Sequence, residues 1–318
     1  MFYSAGMARA TYTETTCKSA LNRVSGMPFK WSLNPYRGCV HSCHYCYARA
    51  THAYFGMNAD EDFETKIVVK TNFAEVLRRE LARPSWTGEY VAIGTATDAY
   101  QPAEGRFRIT RRSLEALLAY RNPIGVVTKS TLIVRDADVL MELARVAKVR
   151  VCFTVTTLDA DLWRLVEPGT PPPAKRLVVL RRLAEAGVPC GVLMAPVLPG
   201  ITDAMESIDA VAAAAIDHGA TFFVTSALRL APLVKEHFLR FVEAEMPAML
   251  PRYQRGYAGT NAPAAYVEKL AARVEEVRAR YDFGEDSMRR RYPGDAKTVE
   301  SDSGRPRFTS PEQLTLAM

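Results

Sequence analysis

Residues 150–195 read RVCFTVTTLDADLWRLVEPGTPPPAKRLVVLRRLAEAGVPCGVLMA. The stretch opens on a strand, Arg150–Thr156, whose interior is almost continuously Val, Phe, Thr and Cys. Such a run fits a strand covered on both faces of a parallel sheet. Asp159 then opens a helical segment, DADLWRLVE. A second helix around Arg176–Ala186 stops at Gly187, Pro189 follows, and the next strand runs Cys190–Ala195. One βα repeat is thus legible from end to end. Working outward, further strands are expected at Ser32–Tyr36, Tyr90–Gly94, Ile124–Thr128 and Thr221–Ser226. Thr110 begins another helix, and Asp203 with Glu206 forms a capping box before MESIDAVAAAAIDH. Six repeats define an α/β fold. Six is two short of a closed eight-fold barrel, so a partial, open (βα)6 TIM-like barrel is expected, with reactive groups at the carboxyl ends of its strands.

The rest of the chain frames this core, taken as residues 31–250. Residues 1–30 are polar and mixed and read as an N-terminal arm. Beyond 250, PRYQRGYAGTNAP reads as a loop and Tyr266–Tyr281 as one more helix, giving a C-terminal loop and helix over 251–283. Residues 284–318 are polar and punctuated by Pro and Gly, and a disordered tail is expected there. With 318 residues, 48% hydrophobic and 24% charged, the composition is globular. The balance of 41 basic and 35 acidic residues gives +6, which permits an anionic partner without requiring one. The absence of an apolar run of about 18 residues argues against a membrane helix. The first residues lack a cationic stretch followed by a long apolar one, so no secretory signal is expected.

Cysteine usage carries the chemistry. Cys152 and Cys190 sit in apolar runs and read as small buried hydrophobes, and Cys17 as a bystander. The other three fall in Asn34-Pro-Tyr-Arg-Gly-Cys39-Val-His-Ser-Cys43-His-Tyr-Cys46-Tyr-Ala, a C-x3-C-x2-C spacing directly after the first strand. Three thiolates this close can wrap one metal centre from a single loop. A closed structural site takes four ligands, so three leave one position open to a small molecule, as in a four-iron cluster with one free iron. The spacing favours that reading. Zinc held by Cys39, Cys43 and Cys46 with His41, His44 or His52 stays open beside it, as does a nucleic-acid-interaction module built on such a centre.

The C-x3-C-x2-C motif with an aromatic before its last Cys resembles the signature of radical S-adenosylmethionine (SAM) enzymes, and RGCVHSCHYCYAR resembles the spore photoproduct lyase-like (DNA repair photolyase-like) subgroup. The resemblance spans roughly residues 17–250. It implies a barrel of the radical SAM type and a [4Fe-4S] cluster on Cys39, Cys43 and Cys46 whose fourth iron binds the amino and carboxylate groups of SAM. Reductive cleavage of SAM would yield a 5′-deoxyadenosyl radical that takes a hydrogen atom from substrate. A reducing donor of the flavodoxin or ferredoxin type is implied, and a reducing compartment, the cytoplasm, suits an oxygen-labile cluster.

The same resemblance assigns further residues. Tyr45 lies near the adenine. Asp98, with Thr97 and Glu104 as weaker candidates, faces the methionyl amino group, and Lys129 with Ser130 faces its carboxylate. Thr154 and Thr156 share the strand face that meets the ribose. Tyr47 is the weak catalytic candidate, a tyrosine of the radical relay in the lyases. One departure matters: those lyases carry a hydrogen-donating cysteine at the end of the second strand, where this sequence has Thr95. Reversal of the spore thymine dimer is therefore not expected, and the substrate stays open. From Gln101 to Arg150 ten Lys/Arg oppose five Asp/Glu, with Arg106, Arg108, Arg111 and Arg112 crowded together. That segment is either a patch for a nucleic-acid backbone or a solvated helix start.

Overall fold

The computed structural model describes residues 10–283; the tail expected over 284–318 lies outside the described residues. In chain order the elements are β1 (Thr11–Thr15), β2 (Asn22–Arg23), β3 (Trp31–Leu33), β4 (Tyr36–Arg37), a 3-10 stretch (Tyr47–Phe55), α1 (Glu61–Thr65), β5 (Lys66–Lys70), α2 (Phe73–Leu81), β6 (Val91–Ile93), α3 (Ala103–Phe107), α4 (Ile109–Ala119), β7 (Ile124–Thr128), a 3-10 turn (Thr131–Asp136) and α5 (Ala137–Val146). They continue with β8 (Val149–Thr154), α6 (Ala160–Val166), α7 (Pro173–Glu185), β9 (Cys190–Val197), α8 (Met205–Asp217), β10 (Phe223–Ala227), α9 (Pro232–Glu245), α10 (Leu250–Gly256) and α11 (Ala264–Arg278).

The main sheet has the order β10-β9-β8-β7-β6-β3-β2. β3 and β6 to β10 are its six parallel strands, and β2 pairs antiparallel with β3. The six expected strands are all present, in sequence order, as in a partial barrel whose ends do not meet. Side chains alternate along each strand. Val91, Ile93, Ile124, Val126, Val151, Phe153, Val192, Met194 and Phe223 pack into the large apolar core beneath the helices. The intervening residues Ala92, Gly125, Cys152 and Gly191 are small, and registered pairing sets Ala92 beside Gly125 and Cys152 beside Gly191. Those small residues leave room at the amino ends for an aromatic floor. A Cβ on Gly125 would lie 1.7 Å from the Tyr90 hydroxyl oxygen, so only glycine admits that ring. Phe29 packs with Tyr90 and Ala92, and the Arg150 guanidinium lies 3.7 Å over the Phe222 ring.

Three parts differ from the sequence reading. The described part of the arm contributes strands: β1 runs parallel to β5 from Thr11 beside Lys66 to Thr15 beside Lys70, and β4 closes this second, three-stranded sheet. β1 reads TYTET and is mostly exposed, and its partner lies about 55 residues away, so no local signal announces the pairing. The Asp203 capping box does not form. Asp203 Oδ1 accepts from Gly200 N at 2.8 Å, and Ala204 is the residue that caps α8. The expected loop after residue 250 begins as helix α10, with Pro251 in its first turn, where a missing N–H costs nothing. Elsewhere the local signals hold. Asp159 caps α6 by accepting from Asp161 N and Leu162 N, and Gly187 ends α7 at φ +81°.

Glu80 of α2 latches the arm. Its buried carboxylate accepts from Ser19 Oγ at 2.7 Å, Ala20 N at 3.0 Å and Leu21 N at 2.8 Å. Removing it strands the buried Ala20 N–H and the part-buried Leu21 N–H, each worth about 1–3 kcal/mol, so Glu80→Ala should lower the unfolding free energy by about 2–4 kcal/mol in urea titrations and speed amide exchange at Ala20 and Leu21. Glu75→Ala, which breaks the exposed pair with Arg112, should cost under about 1 kcal/mol. Equal losses in the two variants would overturn the latch.

Candidate functional site

The cysteine loop leaves β4 at the carboxyl end of the barrel. The Gly38 carbonyl accepts from Thr97 Oγ1 at 2.6 Å and Gln101 Nε2 at 3.0 Å, and Val40 N donates to Gln101 Oε1 at 3.3 Å. Residues following the second parallel strand therefore hold the start of the loop. From the other side, Gly169 N donates to the His41 carbonyl at 3.2 Å, and His44 N to the Val166 carbonyl at 3.1 Å. That approach is close enough that a Cβ on Gly169 would lie 2.1 Å from the Val40 oxygen.

Arg49 fastens the far end. Its side chain is wholly buried and donates to the carbonyls of Cys43, Ser42, Ala59 and Asp60 at 2.9–3.2 Å, and to Glu64. A buried guanidinium spread over four carbonyls of two chain segments is a brace, since each donor it loses would leave an acceptor unsatisfied. Nothing in the sequence separates Arg49 from a solvated arginine.

Within this frame Cys39 and Cys43 are buried, Cys46 is half-buried, and all three thiols are unpaired. Burial pushes the Cys39 thiol up, followed by the proximity of Asp98, Cys46 and Cys43, so the three sulfurs lie within electrostatic reach of one another. Cys43 is pushed up to about 12, again chiefly by burial, with Lys129 working the other way. Groups this hard to ionise in the bare protein become thiolates readily when a cationic metal centre supplies the compensating charge. This is the one cysteine group among the described residues whose members share a loop. No His, Cys, Asp and Glu set among them converges tightly enough to hold a single ion.

Beside the loop lies a buried polar network. Tyr45 donates its hydroxyl to Glu167 and lies 3.1 Å from Thr156 Oγ1, which itself donates to Glu167 at 2.8 Å. Arg176, fully buried, closes on Glu167 Oε2 at 2.5 Å, on Thr170 Oγ1 and on the Thr154 carbonyl. Burial alone would raise the Glu167 carboxyl, but Arg176 and Lys129 bring it down to about 2. The half-buried Lys129 ammonium sits 5.5 Å over the Tyr45 ring. Burial would lower its pKa, yet Cys43 and Glu167 raise it, so it stays a cation. Glu167 and Arg176 were missed from sequence. The Glu-Pro-Gly-Thr run after α6 was the available signal, a carboxylate at the mouth of a rigid turn.

The expected site residues divide by what they touch. Tyr45, Thr156 and Lys129 come together beside Cys43. Asp98 stands beneath the loop with both oxygens engaged: His41 Nδ1 at 3.2 Å, Thr128 Oγ1 and Lys129 N at 2.7 Å, and Tyr100 N at 2.9 Å. Burial opposes its ionisation, but His41 and these donors bring it to about 2. Ser130 is buried and uses its oxygen to accept from Leu132 N at the start of a 3-10 turn. With His41, Tyr100 and the 168–171 turn it lines a cleft of about 340 Å³. Thr97 braces Gly38. Glu104 lies apart from the loop, buried and shared among Tyr36, Thr110 N, Arg111 N and Arg135. Tyr47 is 48% exposed and donates to the carbonyl of Thr95. Within the basic segment Arg111 pairs with Asp138, Asp136 and Glu115, Arg112 with Glu75, and the Arg106 guanidinium lies 4.7 Å over the Phe107 ring.

Glu167 titrates near its ordinary 4.5 when unfolded and at about 2 when folded. Its contribution to stability is therefore complete above pH 4.5 and is lost as the pH falls toward 2. Between about pH 5 and pH 2 the unfolding free energy of Glu167→Gln should fall less steeply than that of wild type. Parallel profiles would mean that this carboxylate is not held ionised.

Comparison with known proteins agrees with this picture. The profile of the radical SAM superfamily matches residues 33–211. A Mycobacterium tuberculosis protein described as uncharacterized is 41% identical over 280 residues, covering 87% of this chain and 82% of its own. An uncharacterized protein of Methanocaldococcus jannaschii is 27% identical over 186 residues, 58% of this chain and 67% of that one. Among solved structures, spore photoproduct lyase complexed with dinucleoside spore photoproduct superposes with a TM-score of 0.65 at 16% identity, covering 87% of this chain and 80% of that chain. A mutant of the lyase with bound AdoMet and dinucleoside spore photoproduct gives the same score at 15% identity. At such identities the likeness speaks for the fold, a mixed α/β partial barrel, whereas the profile covers more than half of the sequence. The chain belongs to the radical SAM superfamily.

Proposed function

We propose that the protein is a radical SAM enzyme in which Cys39, Cys43 and Cys46 hold a [4Fe-4S] cluster and Tyr45, Asp98, Lys129, Ser130 and Thr156 belong to the site for SAM. The observation that carries this reading is the set of three unpaired thiols in one braced loop at the carboxyl end of the barrel, beside a cation and a clamped aromatic ring. Bound there, such a cluster supplies the electron for reductive cleavage of SAM to a 5′-deoxyadenosyl radical, the chemistry of the superfamily.

The chain's own groups have definable tasks. Lys129 offers a positive charge for a carboxylate, and because the ammonium lies over Tyr45 a ligand binding there also meets the ring. Glu167 and Arg176 lock the Tyr45 hydroxyl, so the ring presents one orientation. Asp98 keeps His41 and the Thr128–Lys129 strand end in fixed relation through its four donors. Phe238, Phe241 and Tyr253 pack with Cys43 and Tyr45 in one apolar cluster and exclude water from the outer side of the loop.

The reaction proposed is hydrogen-atom abstraction from a substrate still to be identified, with a reduced flavodoxin- or ferredoxin-type protein as electron donor and the cytoplasm as compartment. No helix among the described residues is long and apolar enough to cross a membrane. Tyr47 remains a candidate for the radical path. With Thr95 in place of the donor cysteine, reversal of the spore thymine dimer is not proposed. Nucleic acid is one substrate class within this proposal; of the basic segment, Arg111 and Arg112 already pair with carboxylates, Arg112 at the surface.

Anaerobic reconstitution should give about four irons and four sulfides per chain, with a reduced paramagnetic resonance signal that changes shape on adding SAM. Ala at Cys39, Cys43 or Cys46 should abolish iron uptake, and Cys190→Ala should leave it unchanged. One zinc per chain, or equal loss in all four variants, would overturn the reading.

A further inference from the structure

Helix α9 reaches the cysteine loop not only through its apolar side chains but also through His237, to which the proposed chemistry assigns no task. His44, between Cys43 and Cys46, stacks on Phe241 with centroids 4.1 Å apart and planes 9° apart. Its Nδ1 lies 3.1 Å from Nε2 of His237, and Nδ1 of His237 lies 2.6 Å from an Asp60 oxygen. The second Asp60 oxygen accepts from Arg240 at 2.6 Å. Asp60 is 45% exposed and His237 12%, so the chain of contacts runs from solvent to the loop. Its inner end stands against the Arg49 brace, which also holds the Asp60 carbonyl.

The proton positions follow from the order of the partners. An ionised carboxylate only accepts, so His237 must donate through Nδ1. Burial keeps the His237 ring below its ordinary range and therefore neutral near pH 7, which leaves Nε2 with a lone pair. The facing nitrogen of His44 must then carry the hydrogen. His44 is thereby the Nδ1–H tautomer, with its ring plane set by Phe241 and its azimuth by His237.

We propose that His237 is a positioning residue: through it Asp60 and helix α9 fix the tautomer and ring orientation of His44, and with them the conformation of the Cys43–Cys46 segment. The consequence for a cluster rests on the reading of Cys39, Cys43 and Cys46 given above, whereas the constraint on His44 belongs to the metal-free chain.

Two-bond proton–nitrogen correlation spectra of the metal-free full chain should show His44 protonated at Nδ1 in wild type, and at Nε2 or in exchange in His237→Ala. Amide exchange over residues 42–46 should quicken about ten-fold in that variant, the factor lost with one ordinary hydrogen bond. Asp60→Asn, at an exposed carboxylate, should give a smaller change in the same direction and carries the test if His237→Ala does not fold. After reconstitution, both variants should lose iron faster in air and show an altered reduced resonance signal at unchanged initial iron content. A bare Nδ1 on His44 in wild type, or tautomer and exchange unchanged in the variants, overturns the positioning role. Failure of wild type to take up iron overturns the cluster reading alone and leaves the tautomer result standing.

Discussion

Backbone carbonyls of the cysteine loop face inward, and the surrounding side chains are committed to satisfying them. Arg49 takes the carbonyls of Ser42 and Cys43, Thr97 and Gln101 share that of Gly38, and the backbone of Gly169 takes that of His41. A loop with its acceptors turned inward would be costly without these donors. With them, the three thiols remain outside any disulfide. The demand for donors explains why a wholly buried arginine is placed beside a prospective metal centre, and why a glycine stands where the 167–171 turn crosses Val40.

The same logic governs the ionised side chains. Glu167 and Arg176 are both buried and cannot stand alone at that depth. Their pairing fixes Tyr45 and Thr156, and leaves Lys129 as the cation that no carboxylate fully claims at the rim. Asp98, also buried, takes His41 Nδ1 and the Lys129 N–H in the same way. The barrel thus carries two buried carboxylates under its mouth, Glu167 closed by Arg176 and Asp98 held by its four donors.

What was legible in the sequence follows from this division. The six strands were readable because parallel strands buried on both faces leave runs such as IGVVT and VRVCFTV. The three cysteines were readable because their spacing is local, and the cap at Asp159 and the stop at Gly187 because they act within a few residues. The β1–β5–β4 sheet was not, since Thr11 meets Lys66 only after α1 and the 3-10 stretch have been laid down between them. Arg49, Glu167 and Arg176 were hidden for a related reason: a charged residue that is buried is identical in one-letter code to one that is solvated. Asp203 misled because its side chain satisfied Gly200 in place of the helix.

The apolar cover over the loop has a consequence for biogenesis. Cys43 and Tyr45 share their cluster with Phe238, Phe241 and Tyr253, residues that leave the ribosome almost two hundred positions later. At roughly 5–20 residues per second, the nascent thiols wait about 10–40 s before the helix that shelters them exists. Throughout that interval the cysteine segment lacks its apolar cover. The order of synthesis therefore sets the order of burial: Cys43 and Tyr45 are made early and are enclosed only once α9 has been added.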